Sequence, residues 1–257
     1  IRRQRQMCIR DRSGVVFAHT PSVSIDPEGR VHTCCAAVPG EWHIMGVTQA
    51  AGLSLKWFRD NFCGAEKDTA ALMDVDEYYL MDKEAETVPI GAERLLYLPY
   101  LMGERTPHLD PDARGVFFGL SAMHTKKHML RAVMEGVAYS LRDCVEVFRE
   151  MGINVSDMMA CGGGGTSPLW RSMLADLYGC EVKTPASKEG PALGAALLAS
   201  VGAGIYGSVP EAVKAVVRTD KVCQPDSSRM ERYDEFYSLY REIYPALKDS
   251  FSRLATL

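Results

Sequence analysis

The sequence has no Cys-x-x-Cys pair, no apolar run near the ~20 residues that a bilayer crossing needs, and little net charge, −4 over 257 residues. Each absence removes a class. Without an excess of either sign, no nucleic-acid or membrane partner is expected. The eight cysteines are scattered, at 8, 34, 35, 63, 144, 161, 180 and 223, and no secretory leader is visible. They read as reduced thiols in a cytoplasm. Cys144 and Cys161 fall on apolar stripes, as buried thiols do. The histidines show no metal spacing, so no metal ligands are assigned. His124 and His128, four apart with no third ligand, fit the start of a helix better. A Walker A loop is missing too, because no Gly-Lys-Ser/Thr follows any glycine run, and no stretch gives a convincing dinucleotide fingerprint.

What the sequence does have is four consecutive glycines, Gly162 to Gly165, behind the short apolar run Met158-Met159-Ala160. Thr166, Ser167 and Pro168 follow, then an amphipathic pattern through Tyr178. Ser167 fits a helix N-cap and Pro168 the first helical turn, where a missing N–H costs little. The layout is strand, glycine loop, helix. Four glycines cost roughly 0.5–1 kcal/mol each in chain entropy relative to alanine, and a plain turn needs one or two. Two readings stay open: a sharp, tightly packed connection, or a nucleotide site where backbone N–H groups meet a polar or anionic ligand.

Along the chain, residues 1–12 carry five arginines and little apolar pattern. They look like translated sequencing-adapter sequence joined to an open reading frame. On that reading the segment is not native and the domain proper is 13–257. Strands are expected over Gly14–Thr20, Val31–Val38 and Trp42–Thr48, joined by Pro/Gly turns as an antiparallel meander. A helix over Gln49–Phe62 and another from about Asp68 to Tyr79 follow, then a charged loop over Asp82–Glu93. Leu95–Tyr100 is apolar, and residues 101–120 form a long polar loop. Lys126–Met151 has helical spacing, with Gly136 marking close packing. Asp157–Cys161 and Glu181–Thr184 read as strands. Glu189–Ala199 opens a small-residue helix suited to close packing on another element or a flat ligand. Pro210–Val217 and Ser227–Leu254 complete the helices, the latter with a core-facing stripe of Tyr233, Phe236, Tyr237, Tyr240 and Tyr244.

Four ordered motifs resemble the carbohydrate kinases of the FGGY family, in the form seen in xylulokinases. Gly115-x-Phe117-x-Gly119-Leu120, then His128-Met129-x-x-Ala132-Val133-Met134-Glu135, matches the family's C-terminal signature. Leu98-Pro99-Tyr100-Leu101 with Gly103-Glu104-Arg105-Thr106-Pro107-His108 is similar to the loop that precedes it. The glycine run and Gly190-Pro191-Ala192-Leu193-Gly194-Ala195 complete the set. The likeness runs from about Ser13 to the C-terminus.

The resemblance implies an α/β domain of the ribonuclease-H-like, actin-like ATPase kind, a mixed sheet of βββαβαβ type flanked by helices, on the nucleotide side of a two-domain kinase. It implies ATP, with Mg²⁺ held mainly through the phosphates, and a cytoplasmic enzyme. D-xylulose would be phosphorylated to D-xylulose 5-phosphate. Ribulose, gluconate or glycerol remain alternative substrates, and a non-catalytic actin-like nucleotide-binding module is the competing reading. By the same resemblance, Gly163 and Ser167 match nucleotide contacts of glycerol kinases, within the run Gly162, Gly163, Gly164. Gly52 matches a glycine near the phosphates. Lys56, where glycerol kinases have glutamine, reaches a phosphate or lies in solvent. Ser13-Gly14 matches the end of the second phosphate loop. The catalytic aspartate has no counterpart here, so no catalytic residue is assigned, and the sugar would be held by the other domain. The chain alone is expected to be inactive, and a homodimer is possible.

Overall fold

The computed structural model describes residues 13–187 and 190–257. Whether residues 1–12 are native therefore lies outside the described residues, as does Glu189. Three strands open the domain: β1 (Gly14–Thr20), β2 (His32–Cys35) and β3 (Trp42–Thr48). Helices α1 (Ala51–Phe62), α2 (Gly64–Met73) and α3 (Glu77–Glu86) follow. Then come β4 (Leu96–Leu98), β5 (Val116–Phe118) and the long α4 (Lys126–Glu150). β6 (Asp157–Met159), a single helical turn α5 (Gly163–Thr166), α6 (Pro168–Tyr178) and β7 (Glu181–Pro185) form a βαβ unit. The chain ends with α7 (Gly190–Gly202), α8 (Val209–Val216), β8 (Thr219–Cys223) and α9 (Ser227–Leu254).

The architecture is mixed α/β, but the expected mixed sheet is divided into three ladders, β1-β3-β2, β4-β5 and β6-β7-β8. The first two are antiparallel; in the third, β6 and β7 run parallel and β8 is antiparallel. The opening strands are not a meander. β3 lies in the centre, with Gly14 opposite Thr48 on one side and Cys35 opposite Trp42 on the other. The long β1–β2 connection carries the Asp26–Gly29 turn, closed by the Gly29 N–H on the Asp26 carbonyl at 3.0 Å. Buried Asp26 accepts from the Arg30 backbone N–H at 2.7 Å and binds its guanidinium.

The helix expected near Asp68–Tyr79 is two helices. Asp74 takes a left-handed conformation (φ 52°) that ends α2, and the Asp76 carboxylate caps α3 through the Tyr78 N–H. α3 also occupies half of the stretch expected to be a charged loop. The strand expected over Val31–Val38 is shorter, and β8 is an additional strand. Cys144 is buried as expected, but Cys161 is exposed, because it sits past the end of β6 where the chain turns outward.

α4 is the spine, buried along most of its length and packed against β3, β4, α1 and α6. Gly136 lets it approach β4: a Cβ there would come within 2.1 Å of the Tyr97 carbonyl oxygen. α9 lays its tyrosines on α4 and on the β4–β5 loop. Tyr233 OH accepts from Arg131, which also binds Glu135. Tyr237 donates to Asp143 (2.6 Å) and Tyr244 to Asp110 (2.8 Å). These phenols bring their rings into the core while each hydroxyl keeps a partner. His124 and His128 accept backbone N–H groups around the start of α4, as expected. By contrast, α7 packs mainly on α8 and buries only Leu197.

Candidate functional site

The glycine loop is built from both ends. β6 delivers the chain to Gly162, whose φ of 80° favours glycine. One helical turn follows, and Ser167 breaks it with an extended ψ of 125°. Ser167 Oγ then accepts the Trp170 N–H at 3.2 Å with Pro168 in the first turn, so the expected N-cap is present. Arg171, buried on α6, donates to the carbonyls of Gly165 and Thr166, both at 2.8 Å. It fixes the loop from behind.

The four glycines have different reasons. Gly162 is demanded by its φ. Gly165 is demanded by space, since a Cβ would lie 2.5 Å from the Ala160 oxygen. Gly163 and Gly164 are exposed with ordinary φ; a Cβ would meet nothing within 4 Å at Gly163 and only Trp170 at 4.0 Å at Gly164. The fold needs neither to be bare.

A second group gathers at the β3–α1 turn. Ser13 is half-buried at the start of β1. Gly14 lies opposite Thr48, and a Cβ on it would meet Ala51 and Leu141 at 2.7 Å. Packing alone thus accounts for this glycine. α1 begins with Ala50 at the N-cap, with no side-chain cap and no acidic residue in its first turn. Gly52 is exposed in that turn and Lys56 follows one turn later, half-buried. Among the described residues the Lys56 ammonium has no hydrogen bond or ion pair.

α3 meets the far end of α1 and the glycine loop. Glu77 binds Arg59 of α1 at 3.0 Å, and Asp82 faces the Ser167 hydroxyl. Burial pushes the Asp82 carboxyl up while that hydroxyl holds it down. So the structure brings Ser13 and Gly14 to the first turn of α1, which carries Gly52, and Ser167 to Asp82. No role is expected from sequence for Asp82, Arg171 or Ser140, and Glu104 enters there only as part of a motif. The Asp76 cap is the signal that would have put Asp82 on a helix.

Thr48 leads to the third component. In the β4–β5 loop, Glu104 is 3% exposed. Its Oε1 accepts the N–H groups of Gln49 (2.9 Å) and Arg105 (2.7 Å). Its Oε2 accepts from Thr48 at 2.7 Å, and Ser140 of α4 donates to Thr48 at 2.7 Å. Burial raises the carboxyl's pKa and these donors oppose it. Thr106 adds to the same anchor, exchanging bonds with the backbone of Val47. Among the described residues, no group of three or more His, Cys, Asp or Glu side chains is placed to hold a metal ion. No helix there is long and apolar enough to cross a membrane.

The motifs, the divided α/β fold and this loop have counterparts elsewhere. The profile of the FGGY family of carbohydrate kinases, C-terminal domain, matches residues 7–203, and the chain belongs to that family. Xylulose kinase of Bacillus subtilis is 37% identical over 245 residues, which cover 95% of this chain and 47% of that protein. Gluconokinase of Bacillus licheniformis is 34% identical over 95% of this chain and 47% of its own length. The crystal structure of xylulose kinase from Rhodospirillum rubrum superposes with a TM-score of 0.80 at 32% identity, covering 93% of this chain and 46% of that one. The chain spans about half the length of the curated relatives it matches.

Proposed function

We propose that this chain is the nucleotide-binding side of a sugar kinase that transfers the γ-phosphoryl group of ATP to D-xylulose, giving D-xylulose 5-phosphate. The observation that carries the reading is the pair Gly163 and Gly164, bare without structural need, at the amino end of α6. There, exposed backbone can come against a nucleotide, with Gly162 turning the chain and Ser167 closing the cap. The uncapped first turn of α1 offers N–H groups and the Gly52 backbone to the phosphates, with Ser13 and Gly14 beside it and the Lys56 charge one turn on.

In such a kinase, catalysis is mostly positioning and electrostatic stabilisation, with Mg²⁺ supplying charge neutralisation across the phosphates. The sugar hydroxyl attacks the γ-phosphorus, the bond to the β-bridging oxygen breaks, and the hydroxyl proton passes to a carboxylate base. We assign that base, and most of the sugar site, to the half of the kinase that this chain lacks. A positioned base is worth typically 10²–10⁴ in rate, and proximity roughly 7–11 kcal/mol in favourable cases. The chain incubated with Mg·ATP and D-xylulose is therefore expected to give no sugar phosphate above a no-protein control. Turnover would overturn this division of labour. Gluconate is the second substrate reading, supported by the gluconokinase relative at nearly the same identity. Comparing kcat/KM for the two sugars with the full-length kinase separates them. A cytoplasmic location accompanies the proposal.

A further inference from the structure

The β4–β5 loop reaches across the domain to the turn that carries Gly52, and it does so through one buried carboxylate. Four donors converge on Glu104: the Gln49 and Arg105 N–H groups, the Thr48 hydroxyl and, more distantly, the Ser140 hydroxyl at 3.2 Å. Ser140 lies on α4 and Thr48 ends β3, so the spine, the central strand and the loop are tied at one point. Gln49 and Ala50 then lead directly into the uncapped end of α1. A carboxylate this deep costs desolvation energy that an apolar residue would not. Plain packing does not require one, and the neighbouring Thr106–Val47 bonds already hold the loop to the strand.

We propose that Glu104 is a positioning residue: it fixes the β3–α1 turn so that the first-turn N–H groups of α1 face the nucleotide phosphates. This rests on the nucleotide reading of that turn. Glu104 makes no contact with the nucleotide itself. It acts by holding the Gln49 N–H and the Thr48 hydroxyl, which sets where Ala51, Gly52 and Leu53 point.

The test uses the 257-residue chain, with Mg·ADP titrated by calorimetry and backbone amide exchange followed by mass spectrometry. Glu104→Gln keeps the shape and one acceptor but removes the charge. Glu135→Gln is the control: Glu135 is equally buried, 1% exposed and bonded to Arg131 and the Gly91 N–H, but on the far side of α4. For Glu104→Gln, ADP affinity is expected to fall about tenfold, and amides 49–53 to exchange about tenfold faster, in a chain that still melts cooperatively. Glu135→Gln should lower the melting temperature and leave affinity within twofold. Should Glu104→Gln not fold, Ser140→Ala loosens only the outer link of the relay and should weaken ADP two- to threefold. Unchanged exchange over 49–53 in the folded variant, or equal loss of affinity in both glutamine variants, overturns the proposal. If the wild-type chain binds no ADP, the nucleotide reading fails and takes the phosphate-facing role with it. The exchange data then still decide whether Glu104 anchors the turn.

Discussion

Two loops in this domain, the long β4–β5 connection and the short glycine loop, are built in opposite ways. The β4–β5 loop is locked. Glu104, Thr106 and Asp110 are all buried and all bonded. His108 stacks on Tyr244 with ring centroids 3.7 Å apart, meets the Tyr100 hydroxyl at 3.1 Å, and is pushed down to a pKa of about 4 by burial. The glycine loop is open. Its backbone is held from behind by Arg171 and the Ser167 cap and within by the Thr166 hydroxyl on the Gly163 carbonyl, and a Cβ at Gly163 would meet nothing within 4 Å. A loop that spends side chains on the core suits positioning. A loop that withholds them leaves room for a ligand.

Removing a buried anchor should cost the most. Glu104→Ala strands the Gln49 and Arg105 N–H groups and the Thr48 hydroxyl in a buried site, at about 1–3 kcal/mol for each unsatisfied group. A net loss of about 3–5 kcal/mol is expected, read as a lower urea midpoint at an unchanged slope. A loss below about 1 kcal/mol would mean that the loop is not locked by this residue.

The next contrast lies inside the glycine loop. Gly165→Ala forces a Cβ against the Ala160 carbonyl and should destabilise by about 1–3 kcal/mol. Gly163→Ala meets nothing, and in a helical turn it should be neutral or stabilising by up to about 1 kcal/mol. Thermal melts of the two variants side by side check the difference. Equal destabilisation would remove the distinction between structural and free glycines.

The α4–α9 seam adds a pH dependence of its own. Asp143 is fully buried, and burial lifts its pKa from 3.8 to about 7 against the Tyr237 hydrogen bond. A carboxyl with a raised folded pKa contributes stability that is fully present below the unfolded value of 3.8 and lost as pH rises through about 7. Asp143→Asn should therefore gain on the wild type by a few kcal/mol between pH 4 and pH 8. Denaturant titrations at those two pH values measure it, and a pH-independent difference would contradict the burial argument. The smallest destabilisation is expected for Ser167→Ala, about 1 kcal/mol for a lost N-cap, read in a thermal melt.

The regular parts of this domain were legible because their periodicity and caps agree. β1, β3 and α9 have the residue bounds that pattern alone suggests, and Ser167 caps α6 as its position implies. Other features depend on distant partners. Within Asp68–Tyr79 only the Asp76 cap hints at a second helix, and the left-handed turn at Asp74 that splits the two has no signal in the apolar spacing. β8 has almost no alternation, since four of its five residues are exposed, so a period of two was not there to read. The central place of β3 is a matter of which strands pair across the long β1–β2 connection, and a turn at Asp26–Gly29 does not determine that pairing. Of the candidate site, the glycines and Ser167 stood out by composition. Asp82 and Arg171 did not, and Glu104 stood out only as a motif position, because each draws its meaning from partners that only the fold brings near. Gly14 shows the converse: a motif position whose glycine packing explains unaided.

The most direct test is a calorimetric titration of Mg·ADP into the wild-type chain and into Gly163→Val. The open-loop account predicts saturable one-site binding to the wild type. In the valine variant it predicts at least a tenfold loss of affinity, with the melting temperature within a few degrees of the wild type. Binding that is absent from the wild type, or equal in both proteins, would contradict it.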